Sequence, residues 1–389
     1  MAPLVLVGGS IAASYRNGGI AWERLSWILG LRRLGVRVLV VDQLDERRCV
    51  NLPGQAPGYD GCLNVEYCRS VVERFGLADD IAVIGDHGES LLGRSYEELL
   101  ELAGEAEMLV NVAGNVRLVE VKLRVRRSVY VDVDPGFTQL WLASGRPAPR
   151  IAGHDLHFTI GENVGTPASP LPTAGLRWRH VRQPVLLDEW PVAPDGDVGR
   201  LTTIASWSGG GPHGSLAAIG HRFTQKADEF LKLVELPGHV PQSLEVVLRT
   251  RPGEEYARGL LTSHGWTVAG PEVVADPDAF RRYVQSSGGE LSVAKGAYVA
   301  TRSGWFSDRT VRYLASGRPA IAQDTGFGSH LPLGEGLLSF STLEQAIASV
   351  RSVAEDYERH QRAARRIAEE YFDSDRVLGR FVEEVLAAA

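Results

Sequence analysis

The stretch NGGIAWERLSWILGLRRLGVRVLVVD, residues 17–42, sets two periodicities back to back. Ile20, Leu25, Trp27, Ile28, Leu31 and Leu34 fall at helical spacing and give residues 18–34 an apolar face. Gly35 stops that pattern, and VRVLVVD (36–42) is a continuous apolar run of strand length. A similar run, LVLV (4–7), precedes it and ends in Gly8 and Gly9. Strands with no polar face, joined through a helix, indicate a parallel sheet covered on both sides.

The same alternation continues outward. IAVIG, EMLVNVAG and SVYVDVD read as further strands, with SYEELLELAG as a helix between two of them. From 144 to 194 Pro and Gly thicken and the periodicity fades, and EWPVAPDGDVGR reads as a linker. LTTIASWS (201–208) restarts the pattern. SLEVVLR, WTVAG, ELSVAK and PAIAQ follow as strands, with helical stretches such as KADEFLKLVEL, EEYARGLLTSHG and DPDAFRRYVQSS between them. The reading is α/β: one Rossmann-like, doubly wound domain over 1–190 and a second over 200–340. Helices over 341–389 close the chain and can cross back to the first domain. Two such sheets facing across a cleft bring together the loops at the carboxyl ends of their strands, where open α/β sheets bind ligands.

Bulk properties narrow the classes. The 389 residues are 44% hydrophobic and 23% charged, which suits a two-domain globular chain. A net charge of -7 gives no electrostatic case for a nucleic-acid partner. The cations are overwhelmingly Arg, a bias expected of a GC-rich bacterial genome, and Lys occurs only at 122, 226, 232 and 295. A Lys therefore carries more information here than an Arg. Cys49, Cys62 and Cys68 fit neither a zinc spacing nor a disulfide framework. MAPLVLVGGS lacks a basic leader and reads as a first strand, and no run has the apolar length of a membrane span. The expected location is the cytoplasm.

Three loops can hold an anion. Ser307 suits an N-cap, with Asp308, Arg309 and Thr310 as the first turn; the free amides and dipole there favour phosphate, and Arg309 offers a two-pronged contact. Gly304 lets that loop approach a ligand closely. Gly18 and Gly19 open the first helix after a loop longer than a tight turn needs. Arg222 and Lys226 lie four residues apart after a Gly-rich stretch, and two cations there can stabilise a departing diphosphate. Each feature also has a plain reading, as a cap, a turn or a solvated helix start.

Taken together these segments resemble the GT-B glycosyltransferases of the GT4 kind. NGGIAWERLSWILGLRRLGVRVLVVD is similar to their Gly-Gly loop, first helix and second strand. Arg222 and Lys226 are similar to their basic pair after the first strand of the C-terminal domain. RTVRYLASGRPAIAQDTGF (309–327) looks like their donor-binding helix, strand and Gly loop. The resemblance implies a C-terminal domain that binds a nucleotide-diphosphate sugar and an N-terminal domain that binds a hydroxylated small-molecule or glycan acceptor. It implies no other cofactor and no metal. The family's two glutamates around the donor helix fall at Gly304 and Arg312, so neither acid is present; Asp308 can take over a sugar or ribose contact.

For the chemistry, Asp132 and Asp134 alternate with valines and are expected on one side of a strand end. A strand-end role comes first, then acceptor contact, then metal. His154, beside Asp155 and near His157, is a candidate base for an inverting transfer, and His87 is a second. A retaining transfer needs no such base. Two other classes stay open. One is a sugar-nucleotide epimerase or non-catalytic binder of this fold. The other is an NAD-dependent oxidoreductase, against which Ser10 stands where a dinucleotide fingerprint has its middle glycine.

Overall fold

A computed structural model describes residues 2–56, 58–145, 148, 150–208 and 225–388. The quoted stretch forms a helix, Gly18–Arg33, and a strand, Arg37–Gln43. Asn17 caps the helix by accepting from the Ile20 amide. Numbering strands in chain order, β1 is Leu4–Gly8, β2 Arg37–Gln43, β3 Ile81–Ile84, β4 Ser90–Gly93, β5 Met108–Val112, β6 Ser128–Asp132, β7 Leu156–Thr159 and β8 Trp178–His180. They form one sheet in the order β4-β3-β2-β1-β5-β6-β7-β8, parallel except for β4. β2, β3 and β4 run outward on one side of β1 and β5 to β8 on the other, so the crevice lies between β1 and β5.

The second sheet repeats this plan. β9 is Asp197–Ser206, β10 Ser243–Arg249, β11 Thr267–Ala269, β12 Ser287–Ser292, β13 Ala320–Gln323 and β14 Leu337–Phe340. Their order is β11-β10-β9-β12-β13-β14, all parallel, with the crevice between β9 and β12. The apolar strands are uninterrupted because both faces are covered. On β1, Val5 and Val7 join one buried cluster with Trp22 and Ile28, while Leu4 and Leu6 join another with Leu99 and Val121. These two sheets are Rossmann-like domains facing across a cleft.

Residue contacts hold the domains together on both sides of the cleft. Trp22 of the first helix donates its indole N–H to the Pro277 carbonyl at 2.7 Å, and its ring meets Trp190 edge-on at 5.1 Å. Trp190 in turn meets Phe280 at 6.2 Å. A buried indole of this kind is worth about 3–5 kcal/mol against alanine. Asn163 donates to the Arg302 and Gly326 carbonyls and accepts from the His330 ring at 2.8 Å. The last helix, Ser374–Ala387, packs on the first: Phe381 meets Trp27 at 5.2 Å. No helix among the described residues is long and apolar enough to cross a membrane.

Candidate active site

A cavity of about 250 Å³ opens at the carboxyl ends of β9 and β10, lined there by Ile204–Ser206, Val247 and Arg249. Among the described residues its cations are Arg16, Lys226, Arg249, Lys295 and Arg309, and none of those lining it is acidic. Lys226 begins the Lys226–Leu231 helix, and Lys295 follows the end of β12. Arg16 reaches in from the first domain on a loop where its own φ is 51°, a left-handed conformation that costs a non-glycine residue energy. Desolvation, then the neighbouring charges of Arg309 and Lys295, push the Lys226 amine well below its ordinary range. An anion placed among these groups relieves that repulsion.

The Ser307 turn forms as its residue types suggest. Ser307 Oγ accepts from the Arg309 amide at 3.2 Å and caps the Asp308–Ala315 helix. The Arg309 side chain is otherwise engaged. Its Nε donates to Glu290 Oε1 at 2.5 Å, Nη1 to the Ile204 carbonyl at 2.8 Å and Nη2 to Ser292 Oγ at 3.1 Å. The guanidinium expected to fork onto phosphate thus pins the helix start to the ends of β9 and β12. Thr310 Oγ1 lies 3.3 Å from Ser292 Oγ in the same cluster. Asp308 accepts from Arg312 at 2.8 Å, and Arg312, buried at a position where the resembled family has an acid, also donates to Ser26 across the cleft at 3.2 Å.

The glycines have packing reasons of their own. A Cβ on Gly18 would sit 2.2 Å from the Asp276 carbonyl oxygen, and one on Gly19 3.0 Å from the Phe280 ring. Both therefore let the second domain close on the first helix. Gly304 has φ +74°, and a Cβ there would lie 2.7 Å from the Asn163 amide nitrogen.

A second cavity, about 520 Å³, opens at the ends of β5 and β6 in the first domain. Tyr130, Phe137 and Trp141 give it aromatic walls, and Asp132, Asp134, Arg48 and Arg150 its charges. The two aspartates do not face one way, as strand alternation suggests. β6 ends at Asp132, and the chain turns there because the Asp134 amide donates to Asp132 Oδ1 at 3.0 Å. Asp132 is fully buried and also accepts from Thr138, Gln139 and Thr159. Burial pushes its carboxyl above the ordinary range despite those donors. Asp134 instead reaches across the cleft, accepting from Lys295 Nζ at 2.5 Å and from the Tyr298 hydroxyl. Lys295 lines the first cavity and Asp134 the second, so this ion pair is their common wall.

His154 does not present a base to the cleft. Asn111 Nδ2 can only donate, so His154 Nε2 accepts it at 3.0 Å, and Nδ1–H donates to the Ile151 carbonyl at 2.9 Å. Both ring nitrogens are taken and the ring is buried; desolvation lowers its pKa to about 4. Asp155 caps Ser128 from the same loop. His87 is exposed beyond β3. Arg222 lies outside the described residues. Lys295 and Arg16 join the site that sequence reasoning left without them, and Asp134 joins it as the partner of Lys295 across the cleft; for Lys295 the signal was a rare Lys shortly after an apolar strand.

No protein-family model matches the sequence, and no curated protein does. Solved structures do match in fold. HepE from Anabaena in complex with UDP-glucose shares 14% identity at a TM-score of 0.60, covering 99% of this chain and 100% of that one. Sucrose-phosphate synthase from Thermosynechococcus elongatus shares 13% at 0.59, covering 100% of both. An alpha-glucosyltransferase in complex with UDP and a 13-mer DNA shares 10% at 0.57, covering 99% and 100%. The chain has the GT-B fold of such glycosyltransferases.

Proposed function

We propose that this chain is a glycosyltransferase that moves a sugar from a nucleotide-diphosphate sugar to a hydroxylated acceptor without a metal. One observation carries the reading: a cation-lined cavity in one domain and an aromatic-lined cavity in the other meet at the Asp134–Lys295 pair. The diphosphate would lie among Arg16, Lys226, Arg249 and Lys295, beside the Ser307 turn, with the Gly18–Gly19 loop over it. Arg222 joins Lys226 there on the resemblance to the GT4 kind. The acceptor would enter the 520 Å³ cavity.

In the transfer, the acceptor oxygen bonds to the anomeric carbon as the carbon–phosphate oxygen bond breaks, and the diphosphate departs with the electron pair. The cations stabilise the charge that grows on it. In an inverting transfer the acceptor proton passes to the Asp134 carboxylate; in a retaining one it passes to the leaving phosphate. We place the protein in the cytoplasm, where nucleotide sugars are available.

The test is mass spectrometry of products from a mixed nucleotide-sugar pool, with Lys226→Ala alongside. Transfer should appear, and the variant should lose it by about a hundredfold or more while keeping its fold. Nucleotide-sugar binding with conversion of the donor itself, or with no reaction, would point to an epimerase or a binder. Wild-type turnover in Lys226→Ala removes that residue from the mechanism.

A further inference from the structure

The 520 Å³ cavity contains two cations that the transfer chemistry does not use, Arg48 and Arg150. Their neighbours are paired: Arg47 with Asp45 at 2.6 Å and Arg117 with Asp86 at 2.7 Å. Among the described residues, Arg48 and Arg150 have no carboxylate within ion-pair distance, and the undescribed residues include no Asp or Glu. Neither of the cavity's acids pairs with these arginines: Asp132 is held by its hydrogen-bond donors, and Asp134 Oδ1 accepts from Lys295 and Tyr298. Desolvation, followed by the charges of Arg48 and Arg117, pulls the Arg150 guanidinium below its ordinary range. Exposed guanidiniums without an ion-pair partner among the described residues, beside aromatic walls, form a place where an oxyanion can be held next to a ring. Ala113, which lines the same cavity, has φ +58°, a strained backbone of the kind that gathers at ligand sites.

We propose that this cavity selects an acceptor bearing an oxyanion, either a phosphate or a carboxylate, with Arg48 and Arg150 as its ligands. The proposal rests on reading the cavity as the acceptor site. The volume suits a small molecule or a terminal sugar unit, so a polymer would present only its end. Both guanidiniums are exposed and hydrated in the free protein, so the selection comes from the charge-assisted contact that an oxyanion makes with them and a neutral acceptor does not.

Binding of phenyl phosphate, benzoate and phenol is measured by ligand-observed NMR on the wild type, Lys226→Ala and the double variant Arg48→Gln/Arg150→Gln. UDP is titrated on the same samples. One of the two anions should bind at least about tenfold more tightly than phenol, the worth of one charge-assisted contact. Which of them binds separates a phosphate-bearing acceptor from a carboxylate-bearing one. The preference should survive in Lys226→Ala and vanish in the double variant, whose UDP affinity should match the wild type. Equal binding of phenol, binding of neither anion, or a preference that survives the double variant overturns the proposal. A preference lost in Lys226→Ala instead also overturns it, because the anion then sits in the other cavity. Failure of UDP to bind the wild type counts against the glycosyltransferase reading and leaves the aryl-anion comparison readable.

Discussion

Arg309→Met tests whether Arg309 is a strut or a phosphate ligand. In the wild type, Glu290 is wholly buried with one oxygen on Arg309 Nε at 2.5 Å, and Arg309 itself is 12% exposed. Breaking a buried pair from one side costs about 3–5 kcal/mol, because the remaining charge has no counterpart. For a folding unit of this size that lowers Tm by roughly 6–20 °C, at about 2–4 °C per kcal/mol. In Arg309→Met/Glu290→Met no charge is stranded, so the part of the loss due to the stranded carboxylate should return. What stays lost is about 1–3 kcal/mol for the Ile204 carbonyl, which accepts from Arg309 Nη1 at 2.8 Å. The assay is urea and thermal unfolding of the wild type, both single variants and the double, combined as a mutant cycle. The reasoning is refuted if Arg309→Met unfolds like the wild type and only its donor KM rises.

Three further outcomes follow from the geometry. His154 keeps its proton off in the folded state down to about pH 4, against 6.5 in the unfolded chain, so folding loses roughly 3 kcal/mol as pH falls through that window; urea unfolding at several pH values should show this slope reduced in His154→Gln. Gly18→Ala places a Cβ 2.2 Å from the Asp276 carbonyl and should cost about 1–3 kcal/mol, whereas Gly104→Ala, with nothing within 4 Å, should gain about 0.5–1 kcal/mol, both read by Tm. Asp132→Asn should destabilise by about 1–3 kcal/mol by disrupting its set of donors, while Asp134→Asn should melt within about 1 kcal/mol of wild type yet slow an inverting transfer by about a hundredfold or more, read by unfolding and by product formation, with a much smaller loss marking a retaining one.

The two sheets were legible because their inner strands are covered on both faces, which writes them as apolar runs. SLEVVLR became β10 without change, and IAVIG became β3. β4, β7, β8 and β14 left little trace: they have three or four residues each, and β4 and β8 are partly exposed edge strands. Ser307 was legible as a cap because capping is local. The engagement of Arg309 was not, since its partners lie 19, 105 and 17 residues away and meet only when β9 and β12 are neighbours. For Asp132 and Asp134, strand alternation holds only as far as Asp132, where β6 ends and a side chain-to-amide bond turns the chain before Asp134. Lys295 combined two usable signals, a scarce residue type and a place at a strand's carboxyl end.

Five cations of the described residues line one cavity of a folded protein, and two of them are paired. Arg309 is balanced by Glu290 and Lys295 by Asp134, and both pairs span separate segments that must meet for the site to exist. Those two cations therefore fix geometry. Arg16, Lys226 and Arg249 have no carboxylate partner among the described residues, and Lys226 is held in a state where its charge is disfavoured. Arg16 and Arg249 are exposed, so solvent screens them; the burial of Lys226 and its repulsion by Arg309 and Lys295 are a cost carried by the domains' apolar contacts, such as Trp22 and Trp190 at the seam. A diphosphate removes that cost on arrival, so part of its affinity would come from relieving strain already present in the protein. The same charge placed on an isolated helix start would bring no such gain. That is why the site is better described by its uncompensated cations than by the Ser307 turn, although the turn is what a sequence can show.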